Sequence, residues 1–170
     1  MTPEKSIFKA YDIRGIVGKT LTPEVTYAVG LVLGSMARDA GIDSLCVGRD
    51  GRVSGPELSE SLMKGIAAAG TKVIDIGRVP TPVLYFAAHY FKNGSGVAVT
   101  GSHNPPEYNG LKMMLGGKTL FGEGIQDIYR AICENRYKPA ETPAAIERVS
   151  VIDAYAKKIT SDVKLARPMK

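Results

Sequence analysis

Residues 44–77 read SLCVGRDGRVSGPELSESLMKGIAAAGTKVIDIG, which has the pattern of a strand, a helix and a second strand. The apolar run at 44–48 ends in a glycine-containing turn, as a short buried strand does. A helix then begins near Pro56, with apolar residues at helical spacing, and stops at Gly70. A second apolar run follows at 72–77. Because parallel strands need a long crossover, the unit predicts a parallel sheet with a helix packed against it.

The flanking sequence continues this alternation of helices and strands. A hydroxyl cap and a proline, Thr22 and Pro23, open a helix that Gly41 stops. Later in the chain, the periodicity predicts helices at 80–91 and 121–136 and strands at 95–100 and 110–115. The pattern predicts an α/β fold of three layers, α/β/α, with a mostly parallel (mixed) sheet in a single domain.

Length and composition set the size of this domain. The 170 residues are 44% hydrophobic and 23% charged, which excludes a disordered chain, and the two cysteines exclude a disulfide scaffold. The segment 137–149 contains two prolines and is the best candidate for a boundary. We therefore expect a domain at 1–148, followed at 149–170 by a helix capped by Ser150 and a connector.

The charge pattern argues against nucleic acid and membrane partners. The net charge is +5, but the lysines and arginines are scattered, without long basic runs or interleaved aromatic residues. No apolar run approaches the ~20 residues that a membrane span needs, and no secretory signal pattern is present. Because Cys46 and Cys133 fit a reducing compartment, we expect a cytoplasmic protein, some of whose basic residues bind a phosphate or carboxylate ligand.

Polar loops follow the predicted strands at the edge where parallel sheets bind ligands. The loop at 100–106 contains Gly101, which permits unusual backbone angles, and a stiff Asn-Pro-Pro segment. Ser102 is thereby placed for nucleophilic attack or for carrying a phosphoryl group, although a plain polar turn has the same composition. We interpret the turn at 49–52 as structural, with Asp50 bonded to its own backbone.

Ser102 and His103 also suggest a serine hydrolase. Adjacent residues on an extended loop tend to point apart, and the sequence has neither an acidic third member nor a Gly-x-Ser-x-Gly elbow. We therefore expect no reaction of Ser102 with a fluorophosphonate probe.

Three motifs in this chain resemble those of the α-D-phosphohexomutase family. They are FKAYDIRG at 8–15, TGSHNP at 100–105 and YNGLK at 108–112. The resemblance covers essentially the whole chain, and the glycine before Ser102 favours the bacterial phosphomannomutase/phosphoglucomutase type. It implies an isomerase of carbohydrate metabolism that interconverts hexose 1-phosphate and hexose 6-phosphate through a phosphoserine and a hexose 1,6-bisphosphate.

The resemblance also implies roles for five residues. Ser102 would carry the phosphoryl group, with Mg²⁺ bound to its phosphate. Arg14 would bind phosphate oxygens through its planar guanidinium, and Lys112 would supply a point charge and exchange a proton with the sugar hydroxyl. His103 would orient the serine phosphate or assist proton transfer, and Tyr11 would contact the sugar. The implied ligands are mannose or glucose 1- and 6-phosphates and the 1,6-bisphosphate.

Other parts of the family's active site are missing from this sequence. It contains no Asp-x-Asp-x-Asp cluster for the metal, no sugar-reading Gly-Glu-x-Ser-Gly loop and no Arg- and Ser-rich phosphate loop. The resemblance therefore implies the N-terminal, phosphoserine-bearing domain of a phosphohexomutase, with the remaining domains as partners and no turnover when alone. The alternative is a non-catalytic α/β module that binds phosphosugars or other anions.

Overall fold

The computed structural model describes residues 1–167, with seven β-strands and five α-helices. The strands are β1 (Ile13–Ile16), β2 (Ser44–Arg49), β3 (Lys72–Arg78), β4 (Gly96–Val99), β5 (Tyr108–Leu115), β6 (Lys118–Thr119) and β7 (Ile146–Arg148). The helices are α1 (Pro23–Asp39), α2 (Gly55–Ala68), α3 (Thr81–Tyr90), α4 (Glu123–Cys133) and α5 (Ile152–Asp162). Within this range, no helix combines the length and the apolar character that crossing a lipid bilayer requires.

All seven strands form one sheet with the order β1-β5-β4-β2-β3-β7, and β6 pairs with β5. The pairs β4–β2, β2–β3 and β3–β7 are parallel. β5 is antiparallel to β1, β4 and β6, so among the described strands it alone runs against the common direction. The predicted mostly parallel, mixed sheet is confirmed.

Helices cover both faces of the sheet. The larger apolar core lies beneath α1, α2 and α4 and includes Val47, Leu62 and Ile128. The smaller core lies beneath α3 on the opposite face, where Cys46 is fully buried. Burial raises the pKa of the Cys46 thiol to about 11, because desolvation disfavours the thiolate. The two cores produce the predicted α/β/α layers.

The predicted ends of α1 agree closely with the structure. α1 follows Thr22, whose Oγ1 accepts a hydrogen bond from the Val25 amide, and Gly41 takes a positive φ of 69° after the helix. The helix predicted at 121–136 is α4, which is shorter at both ends.

Glycines allow α1 and α2 to pack backbone against backbone. A Cβ atom on Gly65 would lie 2.1 Å from the carbonyl oxygen of Tyr27. On the other helix, a Cβ atom on Gly30 would lie 2.3 Å from the carbonyl oxygen of Leu62. No side chain fits at these distances, so this helix contact depends on both glycines.

The segment 137–149, predicted as a boundary, takes part in the sheet. It contains β7, which lies beside β3, and the amides of Ala140 and Ala144 donate to carbonyl groups at the end of α2. A strand of three residues is too short to show an alternating pattern, and nearby prolines indicate a break instead. α5 begins at Ile152 without a side-chain cap, so the cap predicted at Ser150 is wrong.

Candidate active site at the serine loop

Three polar segments meet at the carboxyl ends of the central strands. The loop at 100–106, which we call the serine loop, follows β4, and the turn at 50–52 follows the neighbouring strand β2. β1 brings Arg14 to the same edge, because Arg14 lies opposite Gly110 in the pairing of β1 with β5. The topology thus gathers the three segments that the sequence singled out.

Ser102 itself has the unusual backbone of the serine loop. Its φ angle is 52°, whereas Gly101 is not among the glycines with positive φ, so the reason predicted for Gly101 is wrong. Ser102 is exposed, and its amide donates to Oγ1 of Thr100 at 2.9 Å. Its Oγ lies 3.3 Å from Nδ1 of His103. These side chains do not point apart as expected, because a left-handed residue turns the chain instead of extending it.

Asp50 joins the turn after β2 to the serine loop. Its Oδ1 accepts a hydrogen bond from the Arg52 amide at 3.0 Å, which confirms the predicted bond to its own turn. Its Oδ2 accepts from Thr100 Oγ1 at 2.9 Å and from the Gly101 amide at 3.0 Å. One carboxylate therefore supports the start of the serine loop, a role that the sequence did not indicate.

Arg52 contacts the serine loop and the first residue of β5. Its guanidinium donates to the carbonyl oxygens of four residues, at 2.6 to 3.1 Å: Ser102, Asn104, Pro105 and Tyr108. A Cβ atom on Gly101 would lie 2.1 Å from Arg52 Cζ. The glycine is thus required by the close approach of Arg52 rather than by its own φ angle.

Asp12 brings together the two cationic residues predicted to bind phosphate. Its Oδ2 accepts hydrogen bonds from Arg14 Nε at 3.2 Å and Nη2 at 2.5 Å, and it lies 3.5 Å from Lys112 Nζ. Arg14 Nη1 also donates to the Gly101 carbonyl at 2.6 Å. Asp12 belongs to the N-terminal motif, yet the sequence did not show that its carboxylate would face both cations.

Arg14 and Lys112 lie on the less covered face of the sheet. Lys112 alternates with Leu111 and Met113, which belong to the larger core, so its side chain points to the opposite face. On that face α3 packs against β2 and β4. The side chain of Lys112 remains 30% exposed, so its charge can reach a ligand beside the serine loop.

The other predicted site residues differ in how they are placed. His103 adjoins Ser102, and within residues 1–167 no carboxylate forms a hydrogen bond with its ring. The geometry therefore lacks the acidic member of a hydrolase triad. Tyr11 is 74% exposed, and in the described chain its hydroxyl makes no hydrogen bond to the other four predicted residues.

A cavity of about 380 Å³ opens beside Arg14. Of the five predicted site residues only Arg14 lines it, and its other polar lining residues are Ser6, Lys9, Thr20, Asn104 and Tyr108. Sites for small molecules measure about 300–1,000 Å³. The cavity therefore has the size for a small ligand and two cationic side chains that suit an anionic one.

The described residues do not complete a metal site. Nowhere in residues 1–167 do three His, Cys, Asp or Glu side chains come together in a way that could hold an ion. The carboxylate of Asp50, which contacts the serine loop, already accepts hydrogen bonds from Thr100, Gly101 and Arg52. Because Mg²⁺ requires about six oxygen ligands, Ser102 and its phosphate would supply only a part of the set.

The fold and the serine loop define an α/β/α domain of the phosphohexomutase class. The family model described as "Phosphoglucomutase/phosphomannomutase, alpha/beta/alpha domain I" matches residues 5–138. This chain belongs to the phosphoglucomutase/phosphomannomutase family and corresponds to its domain I. The resemblance of the three motifs is therefore confirmed.

Relatives and a solved structure support this membership. Phosphoglucomutase of Neisseria meningitidis serogroup B is 49% identical over 165 residues, which are 97% of this chain and 36% of that protein. Phosphomannomutase/phosphoglucomutase of Pseudomonas aeruginosa is 48% identical over 165 residues, which are 97% of this chain and 35% of that protein. A phosphoglucomutase/phosphomannomutase family protein of Burkholderia thailandensis superimposes with a TM-score of 0.92 at 45% identity, covering 99% of this chain and 38% of its own. The chain thus spans little more than a third of these proteins.

Proposed function

We propose that this chain is the phosphoserine-bearing part of an enzyme that interconverts hexose 1-phosphates and hexose 6-phosphates. The observation that carries the proposal is the placement of Ser102. Its exposed side chain lies beside Arg14, on a loop that is held by hydrogen bonds. The relatives named for phosphoglucomutase and phosphomannomutase activity cover almost the whole chain, including this loop. Hexose phosphates are anions, which fits the cationic side chains at the site.

In this proposal, Ser102 exchanges a phosphoryl group with the sugar. A sugar hydroxyl oxygen bonds to the phosphorus of phosphorylated Ser102, the bond from phosphorus to Ser102 Oγ breaks, and the hydroxyl proton passes to that Oγ. The hexose 1,6-bisphosphate then turns in the site and returns its other phosphate to Ser102. His103 would assist this proton transfer, and its Nδ1, 3.3 Å from Ser102 Oγ, supports that role.

Arg14 and Lys112 would neutralise the transferred group. Phosphoryl transfer depends mainly on positioning and on the stabilisation of charge, and both cations are anchored on Asp12. Arg14 would bind phosphate oxygens and Lys112 would supply a point charge and exchange the sugar's proton. Tyr11, exposed beside Asp12, would contact the sugar.

Mg²⁺ enters the proposal through the family resemblance alone. When bound, it would neutralise charge on the Ser102 phosphate, with its remaining ligands supplied from outside this chain.

The remaining domains of the parent enzyme are the proposed partners of this chain. The proposed division of the chain is a domain at 1–148 followed by a connector at 149–170. Mannose or glucose phosphates as substrates and a cytoplasmic location stay predictions.

Phosphorylation of Ser102 tests the proposal directly. We expect one phosphoryl group on Ser102, located by intact mass and peptide mapping, after the chain is incubated with glucose 1,6-bisphosphate. Ser102→Ala should remove it, whereas Ser161→Ala, on the exposed face of α5, should not. Saturable binding of hexose phosphates without any phosphorylation would favour the non-catalytic module instead.

We also expect the chain to lack mutase turnover when alone, because it spans little more than a third of its relatives. A coupled assay that follows conversion of glucose 1-phosphate to glucose 6-phosphate measures this. Sustained conversion by the chain, lost in Ser102→Ala, would contradict the expectation.

A further inference from the structure

We propose that Arg52 is a positioning residue that holds Ser102 in its left-handed backbone conformation and thereby directs its hydroxyl into the site. The proposal rests on the proposed function for its consequence in phosphoryl transfer. The dependence of the Ser102 conformation on Arg52 is supported by the contacts alone.

The first observation is the convergence of backbone carbonyl groups on one guanidinium. Nη1 of Arg52 donates to Pro105 at 2.6 Å and Tyr108 at 3.0 Å. Nη2 donates to Asn104 at 2.6 Å and Ser102 at 3.1 Å. The guanidinium is planar and rigid, so these four bonds impose one arrangement on the loop.

The second observation is the position of this guanidinium, which is enclosed rather than offered to a ligand. It rests on Gly101, where a Cβ atom would lie 2.1 Å from both Cζ and Nε of Arg52. On the other side, Nε lies 3.4 Å from Asp50 Oδ2, and the Arg52 side chain is only 16% exposed. Its donors are occupied by the protein, which separates its role from that of Arg14.

The third observation is the left-handed backbone of Ser102. Among the described residues, Lys92 and Asn135 are the other non-glycine residues with positive φ. Both lie just after a helix, α3 or α4, where a left-handed residue commonly closes the last turn. Ser102 closes no helix, so its conformation must be held by other contacts.

These contacts fix the chain on both sides of Ser102. Its amide donates to Thr100 Oγ1 at 2.9 Å, and its carbonyl oxygen accepts from Arg52. These bonds fix the peptide groups before and after Ser102. They therefore also fix the direction of its Cα–Cβ bond. Without Arg52, we expect Ser102 to leave the left-handed region and its hydroxyl to leave the site.

The test compares Arg52→Lys with Arg38→Lys in the full chain. Lysine keeps the charge but cannot bond four carbonyl groups in one plane. Arg38 is the matched control, because it also donates to backbone carbonyls, those of Ala69 at 2.8 Å and Lys138 at 3.1 Å, far from the loop. One readout is the backbone carbon chemical shifts of Ser102, which report its conformation. The other is the rate of phosphoryl transfer from glucose 1,6-bisphosphate at saturation.

We expect Arg52→Lys to lose the left-handed signature of Ser102 and to slow saturated transfer by about 100-fold, the scale of a 1 Å misplacement. The bisphosphate concentration at half-saturation should not change, because Arg52 does not face the ligand. Arg38→Lys should alter neither readout. Circular dichroism checks that each variant is folded, and Arg52→Gln replaces Arg52→Lys if the latter is not.

Unchanged Ser102 shifts in folded Arg52→Lys would overturn the proposal. A raised half-saturation concentration at an unchanged saturated rate would do the same, because it would make Arg52 a ligand-binding group. If the unsubstituted chain accepts no phosphoryl group, phosphoryl transfer by the isolated chain fails, and the chemical shifts still decide the role of Arg52.

Discussion

The contact between α1 and α2 and the contact between Arg52 and the serine loop both depend on a glycine. A Cβ atom on Gly65 would lie 2.1 Å from the Tyr27 carbonyl oxygen, and one on Gly101 would lie 2.1 Å from Arg52 Cζ. The distances are equal, but the neighbours differ. In the helix pair the neighbour is backbone within a rigid element, whereas in the loop it is the end of a flexible side chain.

Because of this difference, the helix contact affects the stability of the domain, whereas the contact at Gly101 affects the position of the serine loop. Backbone in a packed helix cannot move away without disturbing the core around it, so the helix contact contributes to the stability of the whole domain. A guanidinium can swing away, at the cost of its hydrogen bonds, while the core stays intact. The contact at Gly101 therefore controls where the serine loop lies more than whether the domain folds.

The largest effect is expected for Gly65→Ala. Although alanine favours helices, its methyl group would overlap Tyr27 backbone, and we expect a loss of about 2–3 kcal/mol in the free energy of unfolding. Urea unfolding followed by circular dichroism measures it. Gly124→Ala in α4 is the control, because the nearest atom to its Cβ is 3.6 Å away. The control should gain up to about 1 kcal/mol.

Equal free energies of unfolding for Gly65→Ala and the unsubstituted chain would contradict this prediction. It would mean that α1 and α2 can move apart without a loss in the free energy of unfolding, so that packed backbone moves as readily as a flexible side chain.

A smaller effect is expected for Gly101→Ala. The methyl group displaces the Arg52 guanidinium, and the lost hydrogen bonds should reduce the free energy of unfolding by about 1–2 kcal/mol. In an Arg52→Ala background the same substitution should cost almost nothing, because no guanidinium remains to be displaced. A double-mutant cycle by urea unfolding measures this coupling. Additive costs would show that Gly101 is needed for another reason.

The smallest effect is expected for Ser102→Gly. Glycine adopts positive φ without strain, so we expect this variant to gain about 0.5–1 kcal/mol in the free energy of unfolding. The same change in a helix, Ser161→Gly in α5, should cost about 0.5–1 kcal/mol. Thermal unfolding of Ser102→Gly and Ser161→Gly measures these opposite changes in stability. A loss in both variants would show that the left-handed backbone of Ser102 carries no strain to release.

Local patterns predicted most of the fold. Strands β2 to β5 and helices α1 to α5 were evident because their apolar residues repeat with a clear period over enough residues. β6 and β7 have two and three residues, too few to show a period. β1 lies within the N-terminal motif, where the sequence drew attention to possible ligand contacts instead of strand pairing.

The candidate site was predicted less completely. Motifs indicated Ser102, Arg14 and Lys112, whose roles stay predictions. They did not indicate Asp12 as the shared partner of both cations, because Lys112 reaches Asp12 only when β1 pairs with β5. Asp50 was expected to stabilise only its own turn, and its bonds to the serine loop were missed.

The sequence by itself determined most of the segments that become strands and helices, and it determined which residues carry hydroxyl, guanidinium and ammonium groups. Periodicity, turn residues and side-chain groups are local properties. Only the tertiary structure decided that Arg52 contacts Ser102, 50 residues further along the chain. That contact exists because β2 and β4 are neighbours in the sheet. Strand order follows from how the whole chain buries both faces of its sheet, which no single segment specifies.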